Sequence, residues 1–156
     1  MVTGGQTLVV KNTGSRFSVN MISAVSAKGA LRFAVYEGNA TAATFIDFCK
    51  RLLHDAAGPV YLIADGHPAH RATATKEFAA STEGRLRLIY LPGYSPELNP
   101  DEWVWKNVKH DRIGKTGVTS KQDLKSKAIG ALRRLQKRPG LVRAFFSHPH
   151  LRYITA

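Results

Sequence analysis

The chain has 156 residues, 44% of them hydrophobic, a composition that supports one globular domain with a core and excludes a disordered polyelectrolyte. Its formal net charge is +12, from 23 Lys and Arg against 11 Asp and Glu, which favours a polyanionic partner, nucleic acid foremost. The single cysteine, Cys49, excludes an internal disulfide and a Cys-based zinc framework. No signal-peptide pattern and no membrane-length apolar run is present, so the expected setting is cytoplasmic, in contact with the nucleoid, with no membrane partner.

In chain order, residues 7–10 form a short β-prone piece closed by the turn cluster Asn12-Thr13-Gly14-Ser15. Phe17 to Ser26 alternates and reads as a strand; Lys28-Gly29 turns the chain, and Leu31 to Tyr36 reads as its hairpin partner. From Thr41 to Ala57, apolar Phe45, Phe48, Cys49, Leu52 and Leu53 recur at three- and four-residue steps, which predicts a helix stopped by Gly58-Pro59. Cys49 fits there as a small core residue. Val60 to Ala64 is a continuous apolar run that suits a buried parallel strand. A helix over Arg71 to Ala80 and a buried-type strand over Leu86 to Leu91 follow. Beyond a loop punctuated by Pro-Gly, Ser-Pro and Asn-Pro, Pro100 is suited to open a helix, capped by Asn99 and running to about Ile113. A last long helix starts at Thr119 or Ser120 and carries Leu124, Ala128, Leu132 and Leu135 on one face; Pro139-Gly140 breaks it before a short helix from Leu141 to Phe146. Two antiparallel strands followed by β-α-β units define an α/β domain with a mixed sheet.

The charge is uneven. Residues 1–60 are net +3, residues 61–100 net zero and residues 101–156 net +9. The basic field therefore follows Glu102, where a phosphate backbone would have to be held.

Two carboxylates stand at chemically favoured places. Asp65 follows a buried strand, and functional groups collect at the carboxyl ends of strands in open α/β sheets. Glu102 lies at a helix start, where the helix dipole favours its ionised form. Such a pair could hold a hard divalent cation for phosphodiester chemistry. Each also has a plainer explanation: an Asp before Gly commonly forms a turn, and a Glu commonly matches a helix N-terminus. A zinc hydrolase using Asp65, His67 and His70 is a further alternative, but Pro68 interrupts a regular helical spacing of the two histidines. His70, Tyr94, Lys106, Lys109 and Arg112 are the candidate nucleic-acid contacts. Trp103 could stack on bases, whereas Trp105 reads as core.

The segment Asp65-Gly66-His67-Pro68-Ala69-His70, with Leu91-Pro92-Gly93-Tyr94-Ser95-Pro96-Glu97-Leu98-Asn99-Pro100-Asp101-Glu102-Trp103-Val104-Trp105, resembles the catalytic domain of DDE transposases, specifically the mariner-like superfamily and its bacterial insertion-sequence branch. The likeness runs from about Gly4 to Tyr153. It implies an RNase H-like mixed sheet flanked by helices and Mg²⁺- or Mn²⁺-dependent hydrolysis and strand transfer on DNA, at transposon ends and target. It also implies that Asp65 and Glu102 are the second and third members of an acidic triad, catalytic and metal-binding. Thirty-six residues separate them, close to the family interval.

The family's first Asp, on the first central strand, has no counterpart; Glu37, Asp47 and Asp55 fall at a strand exit or on a helix. The expectation is therefore one domain over 1–156 with its first central strand missing and no upstream helix-turn-helix. Such a transposase fragment would be inactive alone, with the missing strand and acid supplied by an upstream polypeptide of the same element, or with the gap closed by residues 7–10 or by a homodimer. The alternative is a non-catalytic DNA-binding or inhibitory remnant of the element.

Overall fold

The structure is a computed structural model and describes residues 1–12, 15–93, 95–110 and 117–155. Its centre is a five-stranded mixed sheet of order β3-β2-β1-β4-β5, built from β1 (Val2–Asn12), β2 (Ser15–Val25), β3 (Leu31–Tyr36), β4 (Val60–Ala64) and β5 (Leu86–Tyr90). β1, β2 and β3 pair antiparallel in succession, whereas β1–β4 and β4–β5 pair parallel.

The sheet has no gap at its centre, which corrects the expectation of a missing central strand. Residues 7–10 are part of an eleven-residue strand that pairs with β2 from Val2↔Val25 to Asn12↔Ser15. Its parallel ladder to β4 is short, Val2↔Ile63 and Thr3↔Ala64, extended by the bond from the Ile63 amide to the Met1 carbonyl at 2.9 Å. Gly4-Gly5 hid the strand, because glycine lowers strand propensity and a pairing partner on each side overrides that local preference.

Side-chain alternation splits the core into two layers. On β2, Val19, Met21 and Val25 face one side, under α4 (Glu102–His110), α5 (Lys121–Gln136) and α6 (Pro139–Ala144). Trp105, Val108, Leu124 and Leu132 fill that layer. Ile22 and Ala24 face the other side, with Val60, Leu62 and Leu86, under α1 (Ala42–Asp55) and α3 (Thr73–Ser81). Phe45, Phe48, Cys49 and Leu52 are the α1 contribution, at the predicted helical spacing. Cys49 is fully buried, and burial pushes its thiol up to about 12, consistent with an unreactive core position.

Caps set the boundaries of the helices. Thr41 Oγ1 accepts from the Thr44 amide at the start of α1, and Ser120 Oγ accepts from the Asp123 amide at the start of α5. The expected helix over Arg71 to Ala80 is two pieces, α2 (Pro68–Arg71) and α3, separated at Ala72. Pro68 opens α2 because its missing N–H falls where a helix leaves donors unused anyway. α5 ends at Gln136, before Pro139-Gly140 as expected, and Pro139 likewise opens the short helix α6, two residues earlier than expected. α4 begins at Glu102 and not at Pro100, since residues 99–101 form a turn of three-residue hydrogen bonds that leads into it. Its expected end near Ile113 lies outside the described residues. A short α7 (Arg152–Thr155) closes the described chain.

The turn between β2 and β3 requires glycine. Gly29 has φ +98°, and a Cβ there would stand 2.7 Å from the Pro139 carbonyl oxygen. Gly29→Ala should therefore destabilise the domain by more than about 1 kcal/mol, combining backbone strain with a clash against rigid backbone. Urea denaturation of the purified variant checks this; an unchanged midpoint would contradict the close approach.

Candidate active site

Asp65 stands directly after β4, and Glu102 is the first residue of α4. The parallel β4–β5 ladder and the rigid loop after β5 bring them to one cleft of about 490 Å³, lined also by Gly66, His67, Arg71 and Asn99. Across Asp65 lies a smaller pocket of about 240 Å³, lined by Tyr36, Thr41 and Phe45 and sharing Asp65 and His67 with the cleft.

Asp65 is tightly held through one oxygen. Its Oδ1 accepts from the His67 amide at 3.0 Å and lies 2.8 Å from His70 Nδ1. Burial pushes its pKa up, but the His70 and His67 bonds and the nearby imidazoles outweigh that, so the carboxyl is held below the usual range. His70 is itself 4% exposed and packs on the Phe45 ring at 4.3 Å between centroids. A buried ring bonded to Asp65 orients that carboxylate and offers little surface to a phosphate.

Glu102 behaves oppositely. Burial raises its pKa, Lys106 opposes, the Asp65 charge raises it further, and Lys109 opposes again. Glu102 thus feels the Asp65 charge across the cleft, and the α4 lysines partly offset it. Lys106 and Lys109 are exposed, and the Lys106 ammonium sits 4.4 Å from the ring centroid of Trp103, itself 42% exposed. Trp105 is 2% exposed and belongs to the core, as expected. Tyr94 and Arg112 lie outside the described residues.

The sequence reading missed Asp101. It is fully buried; Ser23 Oγ donates to its Oδ1 at 2.6 Å, and Oδ2 has no hydrogen-bond partner among the described residues. Burial drives its pKa well above the carboxylate range. The Ser23 bond opposes, the Glu102 and Asp65 charges add to the rise, and the Gly4 amide opposes. Beside it, Asn99 Nδ2 donates to the Thr3 carbonyl at 3.2 Å, and Asn99 Oδ1 accepts from the Asp101 amide at 2.9 Å. These bonds fasten the loop before Glu102 to β1 and β2. Gly4 makes room for them, because a Cβ there would lie 3.1 Å from Asp101 Oδ2. Nothing in residue spacing marks Asp101; only the long-range contact to Ser23 gives it a role.

The zinc arrangement is not formed. His67 Nδ1 accepts from the Ala69 amide as a cap of α2, His70 is bound to Asp65, and among the described residues no group of three His, Cys, Asp or Glu could hold a metal ion. β1 carries no Asp or Glu, so the strand at the sheet's centre adds no carboxylate to the pair.

The raised pKa of Asp101 gives a signed pH dependence. Its folded pKa is raised, so its contribution to stability is full below the unfolded carboxyl value and is lost as pH rises from there through the folded value. Asp101→Asn should keep the fold, reduce the loss of stability between acidic and alkaline pH, and be more stable than the parent at neutral pH. Urea melts of both proteins across that range check it; parallel pH profiles would contradict a protonated Asp101.

A family model described as DDE superfamily endonuclease matches residues 2–125. No curated protein sequence matches. Among solved structures, the Mos1 transposase catalytic domain with Raltegravir and Mg is similar at TM-score 0.58 and 13% identity, over 92% of this chain and 82% of that one. The catalytic core domain of BIV integrase gives TM-score 0.57 and 16% identity, over 96% and 97%. The Mos1 Strand Transfer Complex gives TM-score 0.59 and 12% identity over 92% of this chain, which spans about half, 53%, of the chain there. At these identities the likeness establishes the fold, the RNase H-like fold of transposase and integrase catalytic cores.

Proposed function

The chain belongs to the DDE superfamily endonucleases, and from that premise we propose that it performs transposase chemistry on DNA, metal-dependent phosphodiester hydrolysis and strand transfer, at the Asp65–Glu102 cleft. One observation carries this reading: a carboxylate directly after β4 and a second at the start of α4 line the same cleft, and the charge of Asp65 raises the pKa of Glu102. Charge repulsion of that kind is relieved by a cation, and two carboxylates are hard oxygen donors suited to Mg²⁺ or Mn²⁺. The Mos1 catalytic domain, solved with Mg and with Mn, supports the same choice of ion. Asp65 and Glu102 would hold the ion, which when bound polarises a phosphodiester oxygen and makes bound water a better nucleophile.

The remaining groups act by position and charge. His70 keeps Asp65 ionised and aimed through Oδ1. Lys106 and Lys109, exposed on α4 beside Glu102, meet the DNA backbone, and the basic residues after Glu102 extend that contact. Transposon-end and target DNA are the partners, and the setting is the nucleoid of a bacterial cell carrying an insertion sequence. Complete strand transfer calls for a third carboxylate, which a second polypeptide of the same element or a second copy of the chain would supply; Asp101 is fully buried and does not line the cleft. Among the described residues the cleft holds two carboxylates, which favours a second reading, a DNA-binding regulator that occupies DNA or the active enzyme without cutting it.

The test is nicking of supercoiled plasmid in Mg²⁺ or Mn²⁺, alongside DNA binding at several salt concentrations. Nicking by the parent chain should fall about 100-fold or more in Asp65→Asn and in Glu102→Gln, with DNA binding retained. Nicking that survives either substitution overturns the assigned pair. Salt-dependent binding with no nicking by the parent chain selects the regulator.

A further inference from the structure

The cleft also carries a cation. Arg71, the last residue of α2, lines it together with Asp65 and Glu102. Its guanidinium packs on one ring, with Cζ 4.7 Å from the centroid of Tyr90, and the side chain is otherwise exposed toward the cleft. The Tyr90 ring is fixed in turn, since its hydroxyl donates to the His70 carbonyl at 2.7 Å, one residue before Arg71. The end of β5 and the end of α2 are thereby tied together, and the same α2 delivers His70 to Asp65.

What Arg71 does not do is equally informative. The ion pairs among the described residues are Arg32–Asp55, His70–Asp65 and Lys127–Asp123, and Arg71 is in none of them. A structural arginine commonly spends its five N–H donors on carboxylates or carbonyls. Here stacking on Tyr90 uses the face of the guanidinium and leaves its edge, the donor fork, uncommitted among the described residues. A rigid fork in a cleft with two carboxylates suits an anion that comes with a divalent ion. Asp65 and Glu102 neutralise such an ion, and an additional phosphodiester charge then needs a protein cation.

We propose that Arg71 binds a phosphodiester of the DNA strand lying in the cleft, its fork meeting two non-bridging oxygens of one phosphate, and that Tyr90 is the positioning residue that holds the fork. This rests on the cleft being a DNA site. The bidentate geometry makes lysine a poor replacement, because an ammonium keeps the charge and loses both the fork and the stacking.

The experiment is fluorescence anisotropy of a labelled DNA duplex against KCl concentration, with Ca²⁺ as the divalent ion, for the full chain and variants matched by circular dichroism and thermal melts. Neutralising one phosphate contributes about 0.9 to the slope of log K against log salt. Arg71→Ala should reduce that slope by about one and weaken binding at every salt concentration, whereas Arg71→Lys should keep the slope and still weaken binding. Tyr90→Leu should weaken binding more than Tyr90→Phe, which retains the ring face. The charge control is Arg51→Ala, in a different groove with Arg32 and Arg133; its slope should match the parent. An Arg71→Ala slope and affinity equal to the parent overturn the proposal and leave the Asp65–Glu102 reading standing. Equal slope losses in Arg71→Ala and Arg51→Ala overturn it as well, because the effect is then general charge. If the parent shows no salt-dependent DNA binding, the DNA reading of the cleft fails, and Arg71 with it.

Discussion

The site depends on a buried polar clamp between the centre of the sheet and the loop that precedes α4. Ser23 on β2 grips Asp101, and Asn99 grips the Thr3 carbonyl on β1. Without those bonds Glu102 would sit at the end of a proline-punctuated loop whose path local sequence only partly determines. With them, the start of α4 is fixed against β1, which pairs with β4, and against its neighbour β2; Asp65 directly follows β4. Buried hydrogen bonds of this kind are costly to leave half made, so they specify one arrangement of the loop more sharply than apolar packing would. Gly4 is part of the clamp, since a side chain there would collide with Asp101.

Three carboxyl groups lie close enough to influence one another, and the fold gives each a different ionisation. Asp101 is sealed from water, its pKa driven up by burial, and it acts as a strut between strand and loop. Asp65 is kept charged by His70 and the His67 amide in spite of partial burial. Glu102 is in between, raised by burial and by Asp65, lowered by the lysines one and two turns along α4. Burial that favours the protonated form of Asp101 works against a third negative charge beside the two that share the cleft. The division follows from where each side chain meets solvent, which adjacency in sequence, as for Asp101 and Glu102, does not predict.

Much of this was legible from residues. The apolar run Val60–Ala64, the helical spacing on α1 and the turn-rich loop before Glu102 each report a local preference that the tertiary structure keeps. The Asp65–Glu102 pair is legible from a strand end and a helix start, whereas the RNase H-like class and the triad roles come through the family resemblance carried by two motifs. β1 was underestimated, because its glycines carry no β signal and its existence depends on pairing with β2 and β4. The missing-strand expectation fell with it. The lack of an acid on β1 was plain in the sequence and holds in the fold. Asp101 and Arg71 were invisible for the same reason: their partners, Ser23 and Tyr90, are 78 and 19 residues away. The split of the expected helix after β4 was missed because Pro68 was taken as an interruption, when its fixed φ suits a helix start.

The most direct test of the central claim, that Asp65 and Glu102 face one another across one cleft, is a carboxyl ¹³C NMR titration of Glu102 in the parent chain and in Asp65→Asn. Removing the Asp65 charge should lower the Glu102 pKa while leaving the fold unchanged, because that charge raises it now. A Glu102 titration that is the same in both proteins would mean that the two carboxylates do not share a site, and the metal and DNA chemistry assigned to the cleft would lose its foundation.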